Sequence, residues 1–484
     1  MNIQHTAAIL AACTAATLTA SDKTESFQPA QRSFTLTQAI ELAVRQNPEI
    51  LKQKQEIERT RGQMIEVRAE ALPHAAIASS YNQQDPSLLE ATVNRRASGR
   101  TSQATTGQSF GTTTSFIQQP KSWRVAVEGR QLLYGGGKVG AALRAAHGAQ
   151  ESTFFLLRET VDSVIAETRR KFYDVLLNHA LIRVQEESVE LLESQLKDQQ
   201  NRFEAGTVPR FNVLQAEVAL ANARPDLIRA RNTHHLSQIA LSKTLGLNYQ
   251  PGRPAIEAVG DLPVDDRKIN LSKAVETAKQ RRPLLKAQRQ QILIEVEDVK
   301  IALAGYQPRL ELNGGYELRN SRLSHNLDDT VNGWFFGVTG NWNIFDGLET
   351  HGKTMQARAK LETAKINYDD SVRQVEVEVQ QAVDNWQQAK ETVQSQEKSV
   401  EQALEAVRLA RERLEAGAGT QLDSLNAQVS LSKARAIELQ AHHDYNAAIA
   451  DFERVTATAT EYNEVFDDPL VKKARPAKQG RAKP

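Results

Sequence analysis

The chain has 484 residues, a single cysteine, and 60 Lys and Arg against 59 Asp and Glu, for a formal net charge of +1. That balance offers no whole-chain electrostatic ground for binding nucleic acid, and one Cys cannot form an internal disulfide. No run of 18 apolar residues occurs, which excludes a membrane-spanning helix; a membrane β-barrel stays open, because alternating strands leave little trace in hydropathy.

Residues 1–20 read as a secretory signal segment, with a weakly apolar stretch from Ala7 to Ala20 followed by the polar run Ser21-Asp22-Lys23-Thr24-Glu25. Inside it, Leu10-Ala11-Ala12-Cys13 has the order of a bacterial lipobox, in which Cys13 would be lipidated. Residues 1–6 hold no Lys or Arg, so a plain signal peptide with an incidental Cys is the competing reading.

From residue 34 the chain is written twice. Leu36, Ala39, Ala43, Pro48, Ile57, Pro73 and Tyr81 recur 235 positions later, from Leu271 to Tyr316. Arg202, Glu204, Ala205, Gly206, Leu214 and Leu220 recur 211 positions later, from Arg413 to Leu431. The registers 235 and 211 differ by 24, so the first copy carries an insertion between Tyr81 and Leu133. A chain of this length could hold about three ordinary domains, but two diverged copies fit the repeat better, over 34–250 and 269–460 with a linker at 251–268.

Each copy reads helix, strand, strand, very long helix, turn, helix. Apolar positions at helical spacing predict a helix over 37–71, stopped by Leu72-Pro73 as Gln307-Pro308 stops its counterpart. The period then changes to 2, predicting strands at about 72–84, 121–134, 308–320 and 334–346. Trp123, Val125, Val127, Gly129 and Leu133 fall opposite Arg124, Glu128 and Arg130; Trp334, Phe336, Val338, Gly340, Trp342 and Ile344 share one face. Lengths of roughly 10–13 residues suit tilted membrane strands. Four strands cannot close a barrel, so other chains must complete it.

Proline-free helical patterns over 138–205 and 349–416 predict helices of about 100 Å that pack lengthwise. Ala205-Gly206 and Ala416-Gly417 end them, and return helices over 209–245 and 422–460 make antiparallel hairpins. The turns are Gly206-Thr207-Val208-Pro209 and Gly417-Ala418-Gly419-Thr420. The architecture is thus mixed α and membrane β, with strands at one end and hairpin tips at the other. The tail 461–484, with Lys472, Lys473, Arg475, Lys478, Arg481 and Lys483, reads as solvated and disordered.

Taken together, these residues resemble the TolC-like outer-membrane efflux family over about 34–460. The resemblance rests on Asn47-Pro48, Ala71-Leu72-Pro73, Arg-Phe-Glu-Ala-Gly at 202–206, Arg-Leu-Glu-Ala-Gly at 413–417, and the tips Asn212-Val213-Leu214-Gln215-Ala216 and Asp423-Ser424-Leu425-Asn426-Ala427. It implies a homotrimer whose 12-stranded β-barrel, four strands per chain, continues into an α-helical barrel. It further implies a bacterial outer-membrane location extending into the periplasm, contact with outer-membrane lipid, and docking of a periplasmic adaptor and an inner-membrane pump at the tips. The implied function is passive export of small molecules or polypeptides, without enzyme chemistry, cofactor or metal. By the same resemblance, Asp423 and Asn426 fall where acidic rings constrict the periplasmic entrance, with Asn426 replacing an acid. Leu414 and Gly419 replace a Tyr and an Arg that tie closed tips together. Asp423 also follows a Gly-rich turn and could serve only to start a helix.

Three signals are refused. Gly135-Gly136-Gly137-Lys138-Val139-Gly140 satisfies G-x-G-x-x-G after a strand, but a 68-residue helix follows instead of a βαβ unit. The pairs His234-His235 and His442-His443 point about 100° apart on a helix, which does not suit one ion. No Ser/His/Asp or Cys/His set supports an enzyme. The alternatives to a channel are a coiled-coil structural protein or a periplasmic adaptor; neither accounts for four membrane-length strands.

Overall fold

The computed structural model describes residues 33–85, 121–248, 256–320 and 327–459. The signal segment with Cys13, the loop 85–120 beyond Asp85, and the basic tail lie outside the described residues.

A two-residue strand β1 (Ser33–Phe34) leads into helix α1 (Leu36–Gln46). Thr35 starts α1 by a reciprocal cap, donating its N–H to Gln38 Oε1 at 3.1 Å and accepting the Gln38 N–H at Oγ1. The single helix expected over 37–71 is two helices, because α2 runs Pro48–Ala69. Proline at 48 disfavours a helical residue before it, and Asn47 sits at φ −59°, ψ 129°. The rule that separates Leu72-Pro73 from the helix therefore also divides it. Asn47 fastens the break by accepting the Glu49 N–H at 2.8 Å and donating Nδ2 to the Thr244 carbonyl at 2.8 Å.

There follow β2 (His74–Gln83), β3 (Lys121–Gly135), α3 (Lys138–Glu204), α4 (Arg210–Thr244) and the short β4 (Glu257–Ala258). The second half holds α5 (Leu271–Arg281), α6 (Pro283–Leu303), β5 (Arg309–Asn320), β6 (Thr330–Asn341), α7 (Glu349–Glu415) and α8 (Gln421–Thr456). Pro283 divides α5 from α6 as Pro48 divides α1 from α2. Helices α3 and α7 are each 67 residues long, about 100 Å at 1.5 Å per residue. Each packs lengthwise against its return helix, α3 on α4 and α7 on α8, and α3 also meets α6 and α8.

Two matching cores hold the helices mid-way. In one, Leu157, Val161, Ile165 and Phe172 of α3 bury against Ile40, Ala43, Ile50 and Ile57. In the other, Val375, Val379 and Val383 of α7 bury against Ala274, Ala278 and Leu285. Each large aliphatic side chain removed from water this way contributes about 1.5–3 kcal/mol. The linker expected at 251–268 is not featureless. β4 lies within it and pairs parallel with β1, Phe34 opposite Ala258, a non-local pairing with no local signature.

The four long strands form one antiparallel sheet in the order β2-β3-β5-β6. A register shift between Leu132 and Tyr134 puts a bulge in β3, so Leu133 leaves the simple alternation. Strand β6 begins and ends earlier than the expected 334–346. Its register on β5 runs from Asn320 opposite Thr330 to Arg309 opposite Asn341. Pro308, one residue before Arg309, has no N–H with which to extend the ladder. Trp342 consequently leaves the sheet and donates its indole N–H to the Tyr306 carbonyl at 3.1 Å.

Candidate functional site

The sheet has two chemically opposite faces. Cross-strand registry lines up Ile77, Val127, Tyr316 and Trp334 in one row, with Phe336 opposite Gly314 and Val338 opposite Leu312 on the same side. Trp334 is 81% exposed and Phe336 68%. An apolar area of this size is unusual on a water-facing monomer. The other face carries an ion-pair network: Arg124 contacts Glu317 at 2.7 Å and Glu128 at 2.6 Å, and Arg319 contacts Glu317 at 3.2 Å. Asn313 donates to Thr339 Oγ1 at 3.0 Å on that face. Among the described residues, β2 and β6 are paired on one side only, leaving two rows of backbone donors and acceptors open.

Glycines join the sheet to the helices. Gly136 and Gly137 sit at φ 64° and 81°, and a Cβ on Gly136 would lie 2.8 Å from the Ala304 carbonyl oxygen. This close approach accounts for glycine at 136, and the positive φ for glycine at 137. At the matching joint Gly347 has φ 67°, but Leu348 follows at φ 70°, a left-handed conformation that costs a non-glycine residue about 1–2 kcal/mol.

At the far end, both long helices stop alike. Gly206 at φ 73° lets the Thr207 N–H reach the Arg202 carbonyl at 2.9 Å; Gly417 at φ 74° lets the Ala418 N–H reach the Arg413 carbonyl at 2.8 Å. Such left-handed glycines satisfy carbonyls that the helix end leaves open. Thr207, Pro209, Ala418 and Thr420 are exposed, whereas Val208 and Gly419 are half-buried. A Cβ on Gly419 would press on the Arg413 and Leu414 backbone at 3.2 Å.

The return helices start differently. Pro209 precedes α4 without any side-chain cap. Thr420 and Asp423 form a reciprocal cap on α8: Asp423 Oδ2 accepts from the Thr420 N–H at 3.0 Å and hydroxyl at 2.7 Å, and the Asp423 N–H donates to Thr420 Oγ1 at 3.2 Å. These hydrogen bonds, with the nearby Arg413 charge, hold the exposed Asp423 carboxyl below the usual Asp range. The carboxylate is therefore anionic and fixed in direction. Asn426 is exposed one turn along, and its carbonyl accepts the Ser430 hydroxyl at 2.8 Å.

The two tips lie side by side, as Leu425 of α8 packs with Val189, Leu192 and Leu220. Polar contacts between α3 and α8 reinforce this: Gln195 to Gln428 at 2.6 Å, Glu187 to Arg435 at 2.8 Å, and Arg170 to Asp451 at 2.7 Å. Sequence reasoning missed these partners, which lie more than 200 positions apart. It also passed over Thr420 as a cap, although Thr-x-x-Asp immediately before an apolar helix carries that signal.

Comparison with known proteins matches residues 39–247 and 274–458 to the family described as Outer membrane efflux protein. Protein CyaE of Bordetella pertussis is 24% identical over 310 residues, covering 63% of this chain and 64% of that one. Nodulation protein T of Rhizobium leguminosarum bv. trifolii is 22% identical over 299 residues, covering 61% of this chain and 62% of that one. The aligned region thus spans slightly under two thirds of either relative. The Campylobacter jejuni CmeC outer membrane channel superposes with a TM-score of 0.72 at 17% identity, covering 91% of this chain and 89% of that one; at that identity the likeness speaks for the fold alone.

Proposed function

The chain belongs to the outer membrane efflux protein family, and on that basis we propose that it is the outer-membrane channel of a tripartite efflux or type I secretion system. The observation that carries the proposal is the sheet. Its apolar face suits lipid, its charged face suits a water-filled lumen, and its two open edges suit closure with further copies. Three copies would supply 12 strands around one pore, with the paired hairpins extending it through the periplasm. Export would be passive, with no chemical step.

In this reading the tips at 206–209 and 417–420 face an adaptor and an inner-membrane pump. Three Asp423 carboxylates around the axis would favour cations and raise the barrier to anions. Asn426 would add hydrogen-bonding groups but no second ring of charge. Leu414 and Gly419 carry no clasp chemistry, so closure would rest on the α3–α8 contacts instead.

The test has two arms. Detergent-extracted outer membranes should yield the protein as a trimer, and a water-soluble monomer would overturn the channel reading. In planar bilayers the wild type should conduct with cation preference, and Asp423→Ala should conduct more freely with less preference. Unchanged conductance and selectivity in that variant would reject the gate.

A further inference from the structure

His443 lies on α8 at the contact with α3 and is only 8% exposed. Its Nε2 is 2.9 Å from Asp174 Oδ1 on α3, and its Nδ1 is 2.9 Å from Asp444 Oδ1 on α8. A carboxylate only accepts hydrogen bonds, so satisfying both contacts requires a proton on both ring nitrogens. Neutral imidazole has one N–H. Kept on Nε2 toward Asp174, it would leave the Nδ1 lone pair facing Asp444. The only donor there among the described residues is the Gln440 amide at 3.4 Å, already given to Asp444 at 2.8 Å. The arrangement therefore fits the imidazolium and penalises its loss.

The position of this residue matters as much as its chemistry. Beyond it toward the sheet, α8 is held on two sides. Tyr445 donates its hydroxyl to Asp265 Oδ1 at 2.8 Å, Asn446 donates to the Pro263 carbonyl at 2.9 Å, and Arg267 contacts Glu453 at 2.8 Å. On the α3 side, Arg170 pairs with Asp451 and Arg169 with Glu453. Toward the tip, the described links to α3 are fewer: the Leu425 packing, the Glu187–Arg435 pair, with Glu187 64% exposed, and the neutral Gln195–Gln428 bond. His443 stands at the boundary between the tightly held half of α8 and the half that ends in the entrance.

We propose that protonated His443 is a pH-sensitive latch between α3 and α8, whose release lets the tip half of α8 swing away from α3. On the α3 side the ionisable groups facing it are Asp174 and Lys171, the latter 3.2 Å from Asp174 Oδ2, with Arg170 engaged by Asp451. On α8 they are Asp444, which also accepts from Gln440 at 2.8 Å, and the adjacent His442. The linker's Asp265 and Arg267 are engaged by Tyr445 and Glu453, and Lys390 of α7 by Asp266.

Burial alone disfavours the cation, but the bonds and charges of Asp174 and Asp444 outweigh it and raise the His443 pKa above the usual histidine value. A raised histidine stabilises the contact below its unfolded pKa and loses that stabilisation as pH rises through the folded value. The latch is thus closed below the ordinary histidine range and opens as pH rises above that range through the raised folded value. Its consequence for conductance rests on the channel reading; its consequence for the helices does not.

Hydrogen exchange of the full-length protein over 421–440, corrected for intrinsic pH dependence, tests it. Losing a charge-assisted bond should speed wild-type exchange about tenfold between pH 6 and pH 9. His443→Gln and Asp174→Asn should exchange fast at both pH values, while the exposed-site control His235→Gln should keep the wild-type response. A flat wild-type profile, or a His443→Gln variant that retains the pH response, would overturn the latch. Bilayer recordings of the same samples separate the two ideas. Conducting protein with flat exchange rejects the latch, whereas pH-dependent exchange with silent bilayers supports the latch and rejects the channel.

Discussion

Placing an arginine at Val127 would test the assignment of the two sheet faces. Val127 lies in the row Ile77, Val127, Tyr316, Trp334 and is 53% exposed. If this row meets hydrocarbon, an arginine near mid-strand costs about 2–4 kcal/mol per copy. Three copies in one ring multiply that to about 6–12 kcal/mol, comparable with the whole stability of an ordinary domain, about 5–15 kcal/mol. The control is Thr339→Arg on the opposite face, where cross-strand registry places residue 339 beside Glu311. That change gives up the exposed Asn313–Thr339 bond and should cost no more than about 1 kcal/mol. Recovery of assembled oligomer from the outer-membrane fraction is the assay: Val127→Arg should be nearly absent and Thr339→Arg near wild type. Normal recovery of Val127→Arg with loss of Thr339→Arg would invert the faces and refute the reasoning.

Further outcomes are expected. Arg282 is 3% exposed and paired with both Glu159 and Glu378, so Arg282→Ala should lower stability by about 3–5 kcal/mol, read from denaturant unfolding. Leu348→Gly should stabilise by about 1 kcal/mol by relieving the left-handed backbone at a largely exposed side chain, seen as a higher unfolding midpoint. Gly246→Ala should do the reverse by more than about 1 kcal/mol, because φ is 74° and a Cβ would lie 2.4 Å from the Gln46 carbonyl oxygen. At the tip, Thr420→Ala should weaken protection of the start of α8 while cation preference persists, and Asp423→Asn should lose that preference.

Much of the local structure was legible because local physics sets it. Pro73 and Pro308 mark a change of hydrophobic period from 3.6 to 2, and strands β2 and β5 begin next to them at His74 and Arg309. Gly206 and Gly417 mark positive φ at the ends of 67-residue helices. Two features beyond that reading are local too: Pro48 divides α1 from α2 by the same rule that acts at Pro73, and Thr420 caps α8 through the Thr-x-x-Asp spacing to Asp423. At the tips, the legible part was the chemical type and turn position of Asp423. Its fixed carboxylate direction depends on the geometry of Thr420.

What no periodicity could supply is pairing. The order β2-β3-β5-β6 joins strands nearly 200 positions apart, with Val127 opposite Tyr316, and only that registry turns two alternating patterns into continuous apolar and charged faces. The end of β6 at Asn341 is likewise dictated by its partner, not by its own alternation. His443 shows the same divide most sharply. In sequence it is half of a histidine pair, and in the fold it is a ring held between Asp174 and Asp444. The sequence by itself determined periods, stops and turn residues, because these depend on neighbours within a few positions. The tertiary structure decided which faces merge and which charges meet, because those depend on contacts whose partners are remote along the chain.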